Sequence, residues 1–206
     1  MDALTEHVGT NNYVIGMDYG TNSCRAVLMR AGQPDELATA VYNYPSGQEG
    51  VILDPSDVHV ARQNPDDYID GFMSCVHEVL DLAEAADFGF VRTQLRAIAF
   101  ATTGSTVIPV DVDLEPLSRK PEFKGNLNAL TWLWKDHTSD AEAKYISQVF
   151  HAHQPDLIAR CGGQYSSEWF WAKILRISRI DPAVFSATAN YLELCEFLPL
   201  SLSIAT

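Results

Sequence analysis

The apolar pattern begins at YVIGMDY, Tyr13 to Tyr19, where Val14, Ile15 and Met17 read as a buried strand. It runs into Asp18-Tyr19-Gly20-Thr21-Asn22-Ser23, residues that tolerate unusual backbone angles. A second apolar run, Ala26 to Met29, leaves in the opposite direction, so the pattern predicts a hairpin. Glu36 to Tyr44 (ELATAVYNY) partly alternates apolar and polar positions and predicts a third antiparallel strand, leaving through Pro45-Ser46-Gly47. Gly47 to Gln63 reads as irregular. Asn64-Pro65-Asp66-Asp67 then announces a helix: Asn64 suits the N-cap, Pro65 the first helical position, and the acids complement the positive end of the dipole. Tyr68, Ile69, Phe72, Met73, Val76, Val79, Leu80 and Ala83 recur at helical spacing. They carry the helix to about Ala86 with one face on the sheet.

Leu95 to Ala101 (LRAIAFA) is a continuous apolar run of the kind expected in the middle of a sheet. Thr102-Thr103-Gly104-Ser105 interrupts it and Thr106 to Val110 resumes, with Pro109 pointing to an irregular edge. Helices are predicted over Ser139 to Phe150, ending near His151 and His153, and from Ser166-Ser167-Glu168 through WFWAKILRISR. A short helix starts at Asp181-Pro182-Ala183, and Tyr191 to Leu202 is a further apolar segment. Strands before and after a helix make an α/β layer. No repeats occur.

Composition narrows the classes. The 206 residues are 47% hydrophobic, ample for a core, and 14 basic against 27 acidic residues leave a net charge of −13. That charge repels nucleic acid and anionic membranes, and no apolar run approaches the ~20 residues that span a bilayer. Cys24, Cys75, Cys161 and Cys195 are widely separated, which argues against a zinc site or redox pair and fits a reducing cytosol. The N-terminal MDALTEHVGTNN lacks a basic start and an apolar core, so residues 1 to 12 read as a loose tail, and a cytoplasmic location is expected.

The hairpin turn is the first candidate for chemistry. Converging N–H groups, two hydroxyls and Arg25 suit a phosphate, and Asp18 can hold the accompanying magnesium through water. An ordinary hairpin explains the same residues. The polar loop after Leu95 to Ala101 sits where α/β sheets take ligands, and a simple turn explains it equally. In NALTWLWKDHT, Asn128 to Thr138, two tryptophans stand beside hydrogen-bonding groups, a mixture that suits a polyol. Trp132 is read as core, and only one of the pair need face a ligand. Asp136 and His137 are adjacent and do not make a catalytic dyad. His77 reads as structural or solvent-facing. His151 and His153 lack a third ligand and read as offsetting a helix dipole. Lys173, Arg176 and Arg179 are explained the same way.

The strings IGMDYGTNSCR, QNPDDYI, TTGSTVIPVD, LWKDHT, YSSEWFWAKIL and YLELCEFLPLSL, in this order and spacing, resemble the N-terminal part of FGGY-family carbohydrate kinases, in particular the ribulokinase group. The resemblance covers Tyr13 to the last residue. It implies an actin-like, ribonuclease-H-like α/β fold whose mixed sheet starts with a three-strand antiparallel unit flanked by helices. It also implies transfer of the γ-phosphoryl of magnesium ATP to a sugar hydroxyl. By that likeness Asp18, Gly20, Thr21, Asn22, Ser23 and Arg25 meet the nucleotide phosphates, with Asp18 toward the Mg2+. Gly104, Ser105, Trp134 and Tyr165 meet the sugar, the small Gly104-Ser105 pair leaving room for a five-carbon substrate. The expected reaction is L-ribulose to L-ribulose 5-phosphate in arabinose catabolism. Another FGGY kinase such as a xylulokinase, or a non-catalytic sugar-binding protein keeping half the fold, are the alternatives. Ala101 stands where ribulokinases often carry an acid, which bears on fine specificity. The family's catalytic aspartate and second, nucleotide-binding domain are expected beyond Thr206. Residues 13 to 206 are therefore expected to be a truncated first domain, inactive alone and prone to self-associate.

Overall fold

The computed structural model describes residues 12–86 and 89–204. The tail read at residues 1 to 12 lies outside these, apart from Asn12. Its carbonyl accepts the Ala31 N–H at 2.8 Å and its Oδ1 accepts from Arg96 Nε at 2.8 Å. The chain divides into two compact units, one comprising the residues up to Pro45 with Asp66–Thr102, the other Ser46–Pro65 with Thr103–Thr206.

The first unit holds β1 (Tyr13–Tyr19), β2 (Ser23–Arg30), β3 (Glu36–Asn43), α1 (Pro65–Ala85) and β6 (Leu95–Thr102), in sheet order β3-β2-β1-β6. The two hairpins are antiparallel, and β6 runs parallel to β1. This is a mixed sheet with the antiparallel three-strand start that the alternation predicts. Tyr13, Ile15, Met17 and Tyr19 of β1 are buried, whereas Gly16 and Asp18 are exposed. Period two along the strand sends one set of side chains to the core and the other to the opposite face. The core face meets α1, where Tyr68, Cys75, Val79 and Ala83 are buried and the Tyr19 hydroxyl donates to the Tyr68 carbonyl at 3.2 Å. Met73, placed on that face by spacing, is instead exposed, as is His77.

Two expectations change in this unit. The Leu95 run is an edge strand with alternating exposure, not a central one, so its alanines at 97, 99 and 101 are open. The cysteines are not all unrelated: Cys24 of β2 and Cys75 of α1 are both buried with their sulfurs 4.0 Å apart. Burial pushes both thiols up, which keeps them protonated and unreactive.

The second unit is built on a five-stranded sheet in the order β4-β5-β8-β7-β9. Its strands are β4 (Ile52–Asp54), β5 (Asp57–Gln63), β7 (Val107–Val110), β8 (Thr131–Trp132) and β9 (Asn190–Glu193). The stretch Gly47 to Gln63, read as irregular, thus contributes two strands. Pro109 lies in a strand with neighbours on both sides, but β8 pairs with β7 only at Val107. At Pro109 the sole ladder partner is Tyr191 of β9, so the ring removes no hydrogen bond.

Around this sheet lie α2 (Asp140–His153), α3 (Pro155–Arg160), α4 (Phe170–Ile180), α5 (Pro182–Ala187) and α6 (Leu194–Ile204). Val107, Leu117, Phe123, Ala129, Trp132, Ile174, Ile177 and Val184 form the core. Helix α4 starts later than its sequence suggests: Ser166 to Glu168 form a turn before it, and its first turn carries no acid. Among the described residues no helix is long and apolar enough to cross a membrane.

Candidate functional site

In the first unit the hairpin turn is closed by the Gly20 N–H donating to the Ser23 carbonyl at 3.0 Å, and the Tyr44 N–H takes the Asn22 carbonyl at 3.0 Å. No residue from 18 to 23 has a positive φ, so the turn does not use the unusual backbone angles expected of it. The Gly20 N–H is spent inside the turn and is not offered to a ligand. What the turn does present is side-chain charge. Asp18 pairs with Arg25 across the β1–β2 ladder and with Ala101 across the β1–β6 ladder. Residues directly opposite in a ladder share a face, and Asp18, Arg25 and Ala101 are all exposed.

This arrangement sets one carboxylate beside one guanidinium on the open face of the sheet. Among the described residues no group of three or more His, Cys, Asp or Glu could enclose a metal ion. A single carboxylate still fits magnesium, which keeps several waters and takes the rest of its shell from phosphate oxygens. Ala101, read as bearing on fine specificity, is the strand neighbour of Asp18.

In the second unit, residues 103 to 106 form a tight polar loop before β7. Ser105 has φ +55°, a left-handed conformation that costs a non-glycine residue roughly 1–2 kcal/mol. The neighbours that hold it are visible. The Thr103 and Thr106 hydroxyls share a hydrogen bond of 2.8 Å. Glu193, at the end of β9, accepts the Thr106 N–H at 3.0 Å. From α4 the Lys173 ammonium donates to the Ser105 carbonyl and, at 2.8 Å, to the Leu133 carbonyl.

Lys173 is fully buried, so its placement at a helix end for the dipole is corrected: it lies in the first turns of α4, on the core side. Burial lowers its ammonium to about 8, against opposing attraction from Asp136 and Glu193. Burial likewise pushes the Glu193 carboxyl up. Arg176 and Arg179, also read as dipole partners, both approach Glu142 of α2, at 3.6 and 3.1 Å.

The floor under these residues is a second buried charge that the sequence reading did not find. Arg62 of β5 forms an ion pair with Asp136, both nearly inaccessible, and its guanidinium lies 3.4 Å from the ring centre of Trp132. Asp136 is fully buried. Its carboxylate also accepts from the Ala61 N–H at 2.8 Å, the Thr138 N–H at 3.1 Å and the Thr138 hydroxyl at 2.6 Å. Burial lowers the guanidinium to about 10 despite the nearby carboxylate. Arg62 nevertheless stays charged at neutral pH. This lattice of bonds fixes residues 131 to 138 against β5.

Trp132 is therefore core, while Trp134 keeps 37% of its surface exposed. Leu133, between them, is bound by the same ammonium that binds Ser105, so the loop at 104–105 and the segment bearing Trp134 are anchored together. Tyr165 is near enough to Glu193 for that carboxylate to help push its hydroxyl up, behind the larger effect of burial. Its ring meets Trp169 edge-on at 4.9 Å, and its hydroxyl accepts the Trp171 N–H at 3.2 Å. It lines a cavity of about 620 Å3 with Asp140, Lys144, Ser147 and His151, none of them assigned to a sugar by sequence. His151, read as a dipole partner, donates from Nε2 to the Gly163 carbonyl at 2.8 Å.

Comparison with known proteins adds kinship to this geometry. No family model matches the chain. Over 204 residues, 98% of this chain and 35% of the relative, it is 35% identical to a ribulokinase of Vibrio parahaemolyticus. It is also 35% identical over 190 residues to a ribulokinase of Geobacillus thermodenitrificans, covering 90% of this chain and 33% of that one. The chain thus spans about a third of the length of these curated relatives. Among solved structures, a xylulose kinase from Brucella ovis superposes with a TM-score of 0.68 at 17% identity, over 92% of this chain and 34% of its own. A Plasmodium falciparum glycerol kinase with ADP gives 0.57 at 14%, over 85% and 30%.

Proposed function

We propose that this chain, a homologue of ribulokinases with the actin-like fold of the FGGY carbohydrate kinases, supplies the phosphate turn and part of the sugar wall of an ATP-dependent ketopentose kinase acting in the cytoplasm. The reaction is transfer of the γ-phosphoryl group from ATP to a hydroxyl of L-ribulose, giving L-ribulose 5-phosphate, as a step of arabinose catabolism. The sugar oxygen forms a bond to phosphorus, the bond to the β-phosphate oxygen breaks, ADP leaves, and the hydroxyl proton goes to a base. No residue of this chain is assigned that role.

The observation that carries the reading is the facing pair Asp18 and Arg25 on an open sheet face. Phosphoryl transfer needs little covalent help and depends on positioned opposite charge. Arg25, with Thr21, Asn22 and Ser23 of the turn and Gly20 leaving room for close approach, binds phosphate oxygens. Asp18 is the residue that would hold Mg2+, which offsets the phosphate charge when bound. Gly104 and Ser105 present a small surface to a five-carbon sugar, and Trp134 offers an aromatic face to its C–H side. Tyr165 is a further sugar contact within the same unit.

The test is a coupled assay of the full-length gene product on a panel of ketopentoses. L-ribulose should be turned over, and Asp18→Asn should lower kcat by at least a hundredfold with the protein still folded. Preference for xylulose would move the assignment to a xylulokinase. Sugar binding without ADP formation would support the non-catalytic reading, and an unimpaired Asp18→Asn variant would remove the role given to that carboxylate.

A further inference from the structure

The 103–106 loop is held by charge from two sides, and neither charge is accounted for by the phosphate turn or by the sugar contacts already assigned. Ser105 adopts a backbone conformation that a residue with a side chain avoids, so something must keep it there. Glu193 accepts the Thr106 N–H, and Lys173 donates to the Ser105 carbonyl. The peptide group that follows the strained residue, Ser105 C=O with Thr106 N–H, is thereby fixed from β9 at one end and from α4 at the other. Lys173 is fully buried, and its second bond goes to Leu133, next to Trp134.

We infer that Lys173 and Glu193 are positioning residues that set which ketose is accepted, by fixing the backbone of Ser105 and its distance from the Trp134 segment. This rests on the kinase reading above for the identity of the ligand, but not for the clamp itself. Neither residue is assigned a proton-transfer role, because the bonds that engage them are to main-chain groups. A compact ammonium reaches two carbonyls at once, and an ionised carboxylate accepts a charge-assisted bond from a main-chain N–H. Loss of either leaves the other half of the clamp in place. The loop should then shift by enough to change discrimination between epimeric sugars, since misplacement of about 1 Å alters orientation-sensitive steps strongly.

The experiment uses the full-length gene product with Lys173→Met, Lys173→Arg and the isosteric Glu193→Gln. Two readouts are taken: kcat and KM for L-ribulose, xylulose and ATP, and amide hydrogen exchange at Ser105 and Thr106. Expected are a rise in KM for sugar of at least tenfold in Lys173→Met, unequal for the two ketopentoses, and KM for ATP within twofold of the parent. Exchange at Thr106 should speed up at least fivefold in Glu193→Gln, and Lys173→Arg should recover part of the sugar KM. Equal effects on both sugars, or unchanged exchange at Thr106, would overturn the inference. If the parent turns over no ketopentose, the kinase reading and the specificity role fall together, while the exchange data still decide whether the clamp exists.

Discussion

Arg62 and Asp136 illustrate how much one residue can carry when it is removed from water. The guanidinium has the Asp136 carboxylate, the Leu127 carbonyl at 3.0 Å and the face of Trp132 as its surroundings. Asp136→Ala leaves that cation buried without its partner, which costs about 3–5 kcal/mol. Urea denaturation should show the loss, and a change under about 1 kcal/mol would contradict the picture. Replacing both residues together by apolar ones of similar size should recover most of the stability, because the pair's own desolvation is then also removed. Lys173 gives a pH-dependent test. Its folded-state ammonium is lowered by burial to about 8, from 10.5 when free. The cost of burying the charge is fully present below pH 8. Between pH 8 and 10.5 the unfolded chain holds a proton that the folded one has released, so Lys173 makes stability rise with pH there. The slope is at most about 1.4 kcal/mol per pH unit. The difference in unfolding free energy between the parent and Lys173→Met should move in the parent's favour across that window; a flat or falling difference would refute it.

At the scale of elements, α1 lies close against the sheet at Gly71. A Cβ there would lie 2.5 Å from the Cys24 sulfur and 3.1 Å from Tyr42 Cδ1. Gly71→Ala gains helix propensity of about 1 kcal/mol but overpacks the interface, which typically costs 1–3 kcal/mol. The net expectation is a lower denaturation midpoint, and a raised one would show that the helix can ride up without loss. The hairpins β1 to β3 and the face of α1 were legible because their buried residues follow the period of the element. Strand β5 was not. Its last four residues, Val60, Ala61, Arg62 and Gln63, are all buried, so no alternation marks it and two of the four are polar. Lys173 was missed for a related reason. It was grouped with the basic end of α4, although it lies four residues before the buried Ile177 and so shares its side of the helix. That spacing was the available signal. The phosphate turn was legible in composition and in its one carboxylate, but the internal use of the Gly20 N–H was not, since donor bookkeeping needs coordinates.

On the scale of the whole chain, each unit leaves apolar surface open. In the first, β3 and β6 are the outer strands of the sheet among the described residues, and Val41 is half exposed on β3. In the second, Val58, Val112 and Trp171 stand out into solvent. Open edges and apolar patches promote association. Sedimentation of the 206-residue chain should therefore show species heavier than a monomer as concentration rises, against the repulsion of its net charge. A single monomer boundary throughout would count against this.

The first unit is also interrupted in sequence, since the chain leaves it after Pro45 and returns at Asp66. Strands β4 and β5 are thus made early but belong to the other unit, and β5 waits for β8, where Gln63 pairs with Thr131. On the ribosome that gap of about seventy residues lasts several seconds. During it Arg62 has emerged without Asp136, and nothing yet exists to bury it against. The first unit can complete itself at Thr102 with an unfinished hairpin hanging from its middle, and nascent-chain pulling measurements should register two separate folding events in that order.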